Sequence, residues 1–181
     1  QRLLGRTQSR HLQQMIRVDS EQAEPIGSLL AEALLRSAQM HLDRVDLVLL
    51  SDYNKGVCAG QFVAELVALA RAAGKPVIAD PARDVGYDRY AGCTCLTPNR
   101  VEAREALGRR IESPDDGLEA ARKILNFGVE AAVVTLDRDG IAWADTSGHS
   151  GHFAVRPRQV FDITGAGDMV LAALGYALAS G

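Results

Sequence analysis

Short apolar runs alternate with amphipathic segments along most of the chain. The continuous apolar runs at residues 45–51, 76–80 and 93–97 are typical of strands buried on both faces of a sheet. Between and after them, apolar residues recur three and four positions apart, which predicts helices at residues 25–41, 59–73, 99–107, 115–126 and 166–179. A weaker pattern predicts a strand at residues 12–19. Repeated strand–helix–strand units with short connections indicate an α/β fold with a mostly parallel sheet and helices on both faces.

The buried face of the first predicted helix can be inferred from its apolar residues. Leu29, Leu30, Ala33 and Leu34 are spaced as one apolar stripe, and Pro25 suits the first turn of a helix. We therefore expect this stripe to face the core.

Two strand-like runs, at residues 131–136 and 140–145, are separated only by the polar residues 137–139. This spacing favours a hairpin or a tight loop. The Gly/Ser-rich stretch that follows contains His149 and His152. We expect both histidines to be exposed in a loop.

The composition excludes several classes of protein. Hydrophobic residues make up 47% of the 181 residues, charged residues make up 24%, and the formal net charge is −3. These values are typical of a soluble globular protein and argue against disorder. The chain has no basic patch or aromatic platform, which indicates that it has no nucleic-acid partner. It also has no run approaching the roughly 20 apolar residues of a membrane span.

The cysteines indicate a reducing compartment, and hence a cytoplasmic location. Cys58, Cys93 and Cys95 are odd in number and lack the spacing of a disulfide framework. Alternation along a strand would place Cys93 and Cys95 on one face. No second Cys/His pair stands at ligand spacing, so buried strand cysteines are a better interpretation than a metal site.

The strongest chemical signal is D-I-T-G-A-G-D at residues 162–168, directly before the last predicted helix. Gly165 and Gly167 flank Ala166, so the backbone can turn tightly and approach a ligand. The N–H groups and the dipole at the helix start then form an anion site that suits phosphate. Asp168 is placed to take a proton from a hydroxyl that attacks this phosphate. The alternative is an ordinary glycine-rich turn in which Asp168 caps the helix.

This motif resembles the C-terminal signature of the ribokinase-like carbohydrate kinases. The resemblance implies a ribokinase-like fold and transfer of a phosphoryl group from ATP to a sugar. It further implies that Asp168 is the catalytic base and that the amides of Gly165, Ala166 and Gly167 form the anion hole.

Two further elements match the same family in order and spacing. The first is an N-x-x-E element that consists of Asn99, Arg100, Val101 and Glu102. The resemblance implies that this element binds ATP and Mg²⁺, with Glu102 orienting a water molecule on the Mg²⁺. The second is a nucleotide-binding strand and turn with Thr135, Asp137 and Gly140. Asp137 stands where glycine is common in the family.

A narrower similarity connects the chain to the kinase domain of the bacterial heptose 7-phosphate kinases, which occur alone or fused to a nucleotidyltransferase. It rests on S-D-Y-N-K-G at residues 51–56, A-D-P at 79–81 and L-T-P-N-R-V-E at 96–102. The similarity implies phosphorylation of the anomeric hydroxyl of D-glycero-D-manno-heptose 7-phosphate, a step towards the lipopolysaccharide core. Asp52 and Lys55 are then candidate substrate contacts.

The family pattern extends beyond both ends of the chain. We expect residues 1–181 to form a single partial kinase domain that is a weak catalyst alone and self-associates, for example as a homodimer. Two alternatives remain open. The first alternative to a heptose 7-phosphate kinase is a ribokinase-like kinase that acts on another sugar. The second is a nucleotide-binding module without catalysis.

Overall fold

The computed structural model of the chain describes residues 2–5, 13–17, 23–155 and 165–180, the first two ranges by their backbone alone. The first three residues of the D-I-T-G-A-G-D motif lie outside these ranges, as do the ends of the strand predicted at residues 12–19.

The described helices and strands agree closely with those predicted from periodicity. The strands are β1 (Arg2–Gly5), β2 (Gln13–Arg17), β3 (Val48–Ser51), β4 (Val77–Asp80), β5 (Cys95–Leu96), β6 (Ala131–Thr135), β7 (Ile141–Asp145) and β8 (Ser150–Phe153). The helices are α1 (Ser28–His41), α2 (Phe62–Ala72), α3 (Arg100–Leu107), α4 (Pro114–Ile124) and α5 (Ala166–Ser180). Strands β1 and β2 form a separate antiparallel pair.

Six strands form the central sheet in the order β3-β4-β5-β6-β7-β8. The four strands β3 to β6 are parallel to one another, whereas β7 and β8 add an antiparallel edge. The predicted hairpin between β6 and β7 is therefore confirmed. Because parallel strands joined by helical crossovers point the same way, the carboxyl ends of β3 to β6 meet at one edge of the sheet, where ligands bind in such folds.

Helices lie on both faces of the sheet, but unequally. One face packs against α1 to α4 and forms the main core, which includes Ala79, Leu96, Ala132 and Val134. On the other face, α5 buries Leu171 against Ile78 and Cys95. The expectation of helices on both faces is confirmed, and α5 is the only helix that the described residues place on its face.

Helix α1 presents a different face to the core from the one predicted. It begins at Ser28 after Gly27, so Pro25 precedes the helix. Leu35 is the buried residue of the helix, whereas Leu29 and Leu30 are 80% and 52% exposed. The remaining members of the predicted stripe, Ala33 and Leu34, are exposed as well. The helix carries two overlapping apolar stripes, and packing against α2 selects the one that contains Leu35.

Two local predictions were wrong. Cys93 precedes β5 and packs in the main core, whereas Cys95 packs on the α5 side, so the two thiols do not share a face. His152 is a half-buried residue of β8, and its Nε2 lies 2.5 Å from the carbonyl oxygen of Asp139. His149 is exposed as expected and lies 3.3 Å from the Asp145 carboxylate.

Within residues 23–155 and 165–180, no helix has the length and apolar character needed to cross a bilayer.

Candidate active site

The carboxylate of Asp168 lies where the carboxyl end of β3 meets the start of α5. Tyr53 donates a hydrogen bond from its hydroxyl to both oxygens, at 3.1 Å to Oδ1 and 3.0 Å to Oδ2. The hydroxyl of Ser51 donates to Oδ1 at 3.2 Å. These bonds draw the carboxylate towards β3, so the hydrogen bonds described for Asp168 do not cap α5. The side chain is exposed and can be reached from solvent.

The start of α5 forms a cradle beside this carboxylate. Gly165 has a φ of +79°, which lets the backbone turn sharply into the helix. The N–H of Met169 donates to the carbonyl of Gly165, and this is the first helical bond of α5. The preceding amides, including those of Ala166 and Gly167, therefore belong to the helix start, where N–H groups have no intrahelical acceptor. The structure thus places the three predicted anion-hole residues next to Asp168.

Asp80 ends β4 directly beneath this cradle. A Cβ on Gly167 would lie 3.2 Å from Oδ2 of Asp80, so the glycine permits a close approach. Burial raises the pKa of Asp80 to about 7, and the charges of Glu102 and Asp168 act in the same direction. The hydroxyl of Thr97, 3.5 Å from Oδ1, opposes the shift. Three acidic groups are therefore gathered at one edge of the sheet.

The N-x-x-E element builds the start of α3. Oδ1 of Asn99 accepts hydrogen bonds from the N–H groups of Val101 and Glu102 at 2.9 and 3.0 Å. Oε2 of Glu102 accepts the N–H of Asn99 at 2.9 Å in return, which completes a capping box. Burial raises the pKa of Glu102, although its hydrogen bond with Asn99 opposes that shift. The cap fixes Glu102 at the edge of the sheet where Asp80 also ends.

Arg100 joins this helix start to the turn between β6 and β7. Its guanidinium donates to the carbonyl oxygens of Leu136 and Ile111 at 2.7 and 3.0 Å and to the carboxylate of Asp139 at 2.5 Å. The carboxylate of Asp137 lies 3.4 Å from its Nε. Arg100 and Asp137 therefore bind to the protein itself and shape the turn.

Thr135 and Gly140 flank the same turn. The N–H of Thr135 donates to the carbonyl of Pro98 at 3.0 Å, which ties the end of β6 to the segment before α3. Gly140 has a φ of +95°, and a Cβ there would lie 1.9 Å from the carbonyl oxygen of Phe153. Packing against β8 is thus a sufficient reason for a glycine at this position.

Asp52 and Lys55 follow β3. The Asp52 side chain is only 2% exposed, and its Oδ2 accepts the Tyr90 hydroxyl at 2.7 Å and the Arg89 guanidinium at 3.1 Å. Its Oδ1 accepts the N–H of Asn54 at 2.7 Å. This placement does not support the expected substrate contact for Asp52, because both oxygens are bound by the protein. Lys55 is exposed in the same loop.

The model of the pfkB family carbohydrate kinases matches residues 15–181 of this sequence. The chain belongs to the pfkB carbohydrate kinase family. The resemblance to carbohydrate kinases inferred from the motifs is therefore confirmed.

The pfkB chain also has bifunctional relatives. It is 42% identical to the "Bifunctional protein HldE" of Paramagnetospirillum magneticum over 170 residues, which is 93% of this chain and 35% of that protein. The protein of the same name from Campylobacter fetus is 42% identical over 170 residues, with 36% of its length covered. The chain thus spans about a third of the length of these curated relatives. Their names agree with the predicted resemblance to a kinase domain that occurs in bifunctional proteins.

Solved structures confirm the ribokinase-like fold. A putative phosphofructokinase from Staphylococcus aureus superposes with a TM-score of 0.70 at 18% identity, over 94% of this chain and 54% of that one. Arabidopsis thaliana ribokinase, solved with ribose and ATP, superposes with a TM-score of 0.67 at 24% identity, over 87% of this chain and 48% of that one.

Three residues at the site of this pfkB chain received no role from the sequence. Ser51, Tyr53 and Asp80 all lie in motifs that carried the family resemblance, but no spacing rule singled them out. Their position in the sequence could have identified them as site residues. Each lies at the carboxyl end of a predicted parallel strand or within two residues of it, which is where ligands bind in such sheets.

Proposed function

We propose that this chain carries the phosphoryl-transfer site of a sugar kinase and that Asp168 is its general base. The observation that carries the proposal is the position of the Asp168 carboxylate, which lies beside the amides at the start of α5 and within 3.0–3.2 Å of two hydroxyl groups. A base must hold its substrate hydroxyl at this separation in order to accept the proton.

The reaction proposed is an in-line displacement on the γ-phosphorus of ATP. The sugar oxygen forms a bond to phosphorus, the bond from phosphorus to the bridging oxygen breaks, and ADP leaves. The proton of the sugar hydroxyl passes to the carboxylate of Asp168. The amides of Gly165, Ala166 and Gly167 stabilise the charge on the transferring group, because the helix start points N–H groups at it.

Mg²⁺ fits the acidic groups at this edge of the sheet. Burial is the main cause of the raised pKa of Asp80, and the charges of Glu102 and Asp168 add to it; a bound cation would offset that second contribution. Within the described residues no group of three or more potential ligands is arranged to enclose a metal ion. Mg²⁺ commonly takes one or two carboxylates together with water and substrate phosphates. We propose Glu102 as the residue that orients such a water, and Asp80 as a second acidic neighbour.

ATP is proposed to lie between the α5 cradle and the turn after β6. Asn99, Arg100 and Val101 then act through the cap and the turn that they hold in place, and Asp137, Thr135 and Gly140 act as parts of that turn. The solved complex of Arabidopsis thaliana ribokinase with ribose and ATP supports the use of ATP in this fold.

The substrate is proposed to be D-glycero-D-manno-heptose 7-phosphate, phosphorylated at its anomeric hydroxyl. The support is the S-D-Y-N-K-G segment and the identity of about 40% to proteins named HldE. Lys55, exposed beside the site, is the proposed contact for a substrate phosphate. Asp52 instead positions the loop that carries it.

The chain is also proposed to form a homodimer and to act in the cytoplasm. Leu29 and Met40, on α1, are 80% and 71% exposed, which supports a homodimer. Cys58, Cys93 and Cys95 are free and buried thiols, which supports a cytoplasmic site of action.

The test measures ADP release with Mg-ATP by the protein expressed in its full genomic reading frame. The acceptors are heptose 7-phosphate, fructose 6-phosphate and ribose. We expect turnover selective for heptose 7-phosphate and a loss of at least about 100-fold in Asp168→Asn. The matched control, Asp115→Asn, changes an exposed acid in the first turn of another helix and should retain full turnover.

Each outcome bears on a different part of the proposal. Selective turnover of another sugar would overturn the substrate and keep the mechanism. Full turnover in Asp168→Asn would overturn the role of the base. No Asp168-dependent turnover with any sugar would favour a nucleotide-binding module without catalysis.

A further inference from the structure

The hydroxyl of Tyr53 occupies a hydrogen-bonding position on the Asp168 carboxylate, the group proposed to receive the proton of the acceptor. A phenol has one proton to donate, and this one is shared between the two Asp168 oxygens at 3.1 and 3.0 Å. Ser51 takes a further position on Oδ1 at 3.2 Å. Tyr53 and Ser51 together take three of the roughly four lone-pair positions of the carboxylate, so a sugar hydroxyl that approaches from the Tyr53 side must displace the phenol.

Tyr53 is suited to being displaced. It follows β3 in an exposed loop, and 65% of the residue is accessible to solvent. Little packing is therefore lost when the ring swings away. The hydrogen bond to Asp168 also raises the pKa of the phenol, so Tyr53 keeps its proton and acts as a donor. A protonated phenol is a poor nucleophile and does not itself accept the phosphoryl group.

Water is the competing acceptor at an exposed carboxylate. If water bound to Asp168 beside ATP, its oxygen would form a bond to the γ-phosphorus, the bond from phosphorus to the bridging oxygen would break, and the proton would pass to Asp168. The products would be ADP and inorganic phosphate. The Asp168 side chain is exposed in this structure, so burial does not protect it from water.

We propose that Tyr53 is a specificity-determining residue that shields the Asp168 carboxylate from water until a sugar hydroxyl displaces it. This inference rests on the proposed function of Asp168 as general base. It assigns Tyr53 a role in choosing the acceptor, beyond the alignment of the carboxylate. A residue that only aligned the base would affect transfer to sugar and to water equally.

The experiment compares Tyr53→Phe with the parent in the full reading frame, with Mg-ATP as the phosphoryl donor. ADP release is measured without sugar and with heptose 7-phosphate, and inorganic phosphate is measured separately. We expect sugar-independent hydrolysis to rise about tenfold, the effect of removing one hydrogen bond to a carboxylate. We also expect KM for the sugar to fall, because no phenol has to be displaced.

Two further variants make the result specific. Tyr176→Phe removes the same hydroxyl from α5 at a position 78% exposed, and should match the parent in both assays. The double variant Tyr53→Phe/Asp168→Asn should lose the added hydrolysis, because that hydrolysis requires the base.

Unchanged hydrolysis in Tyr53→Phe would overturn the inference, and so would a rise that survives Asp168→Asn. An equal fall of transfer and hydrolysis would show that Tyr53 only aligns the base, which also contradicts it. Normal Asp168-dependent transfer by the parent keeps the proposed function intact in each of these cases. Absence of that transfer in the parent would overturn both proposals.

Discussion

The negative charge of Asp80 is unfavourable in the folded protein. Burial at the end of β4 is the main reason that its pKa rises to about 7, and the neighbouring charges of Glu102 and Asp168 add to the effect. Near neutral pH the group therefore carries a proton for part of the time. A cation brought by the nucleotide would favour the ionised form, which links the protonation of Asp80 to nucleotide binding.

Asp80 should make the stability of the chain depend on pH. Its pKa of about 7 in the folded state lies above the ordinary aspartate value of 3.8, so the folded protein binds this proton more tightly than the unfolded chain. The stabilisation is complete below about pH 4 and is lost as pH rises through about 7. We expect Asp80→Asn to be more stable than the parent by about 2 kcal/mol at pH 8, after discounting for partial exposure, and equal to it at pH 4. Urea unfolding without nucleotide or Mg²⁺ measures this.

Asp116→Asn is the control, because the pKa of Asp116 is shifted in the opposite direction from that of Asp80. Hydrogen bonds from the N–H of Glu112 and from Ser113 lower the pKa of Asp116, so the carboxylate stabilises the fold above its unfolded pKa. That variant should be less stable than the parent at pH 8, and the difference should vanish in acid. Parallel pH curves for Asp80→Asn and the parent would contradict the assignment for Asp80.

At the scale of elements, the β6–β7 turn is shaped by contacts within the protein. Arg100 binds its carbonyl and carboxylate oxygens, and Gly140 packs against the backbone of β8. Nucleotide binding at this turn would therefore depend on residues that do not touch the nucleotide.

Gly140→Ala should be much more damaging than Gly148→Ala. Both glycines have positive φ, +95° and +88°, but a Cβ at Gly140 would lie 1.9 Å from the Phe153 carbonyl oxygen, whereas Gly148 has open space within 4 Å. We expect a loss of more than about 3 kcal/mol at Gly140 and about 1 kcal/mol at Gly148 in the free energy of unfolding. Equal losses in denaturant titrations would show that φ alone decides the cost.

Periodicity located the α-helices α1 to α5 and the strands β2 to β7 of the described residues, because their apolar residues repeat with a single dominant period. It missed β1 and β8, whose sequences R-L-L-G and S-G-H-F are too short to carry a clear apolar pattern. It also chose the wrong face of α1, since the choice between two apolar stripes is made by α2. The site was predictable where a motif is continuous, as at residues 165–168. The contact of Ser51 and Asp168 joins residues 117 positions apart, and no local pattern encodes such a pair.

At the scale of the whole molecule, the position of the proposed base depends on how one helix sits on the sheet. Helix α5 contacts β3 and β4, and Gly175 allows it to approach closely. A Cβ at that position would lie 3.0 Å from the Leu49 side chain and 3.4 Å from Leu47. Asp168 is in the first turn of this helix, so any change in its seating moves the carboxylate.

Gly175→Val should therefore affect both stability and turnover. Overpacking against Leu49 should cost about 2 kcal/mol of unfolding free energy and lower kcat, because α5 must shift away from the sheet. Ala173→Val adds the same branched side chain on the exposed side of α5 and should cost only about 0.5 kcal/mol. Thermal unfolding and ADP release measure the two effects. Full turnover in a destabilised Gly175→Val would show that Asp168 does not depend on the seating of α5.

The capping box at the start of α3 bears on how this lineage can change over time. Asn99 and Glu102 hold the first turn of a helix whether or not the protein turns over substrate. Natural selection for a folded domain would thus preserve both residues in a descendant that had given up catalysis. The described hydrogen bonds of Asp168 reach only Ser51 and Tyr53, so they give the carboxylate no comparable role in holding a helix start. A descendant of this gene that no longer encodes an active enzyme should accordingly lose Asp168 before it loses its N-x-x-E element.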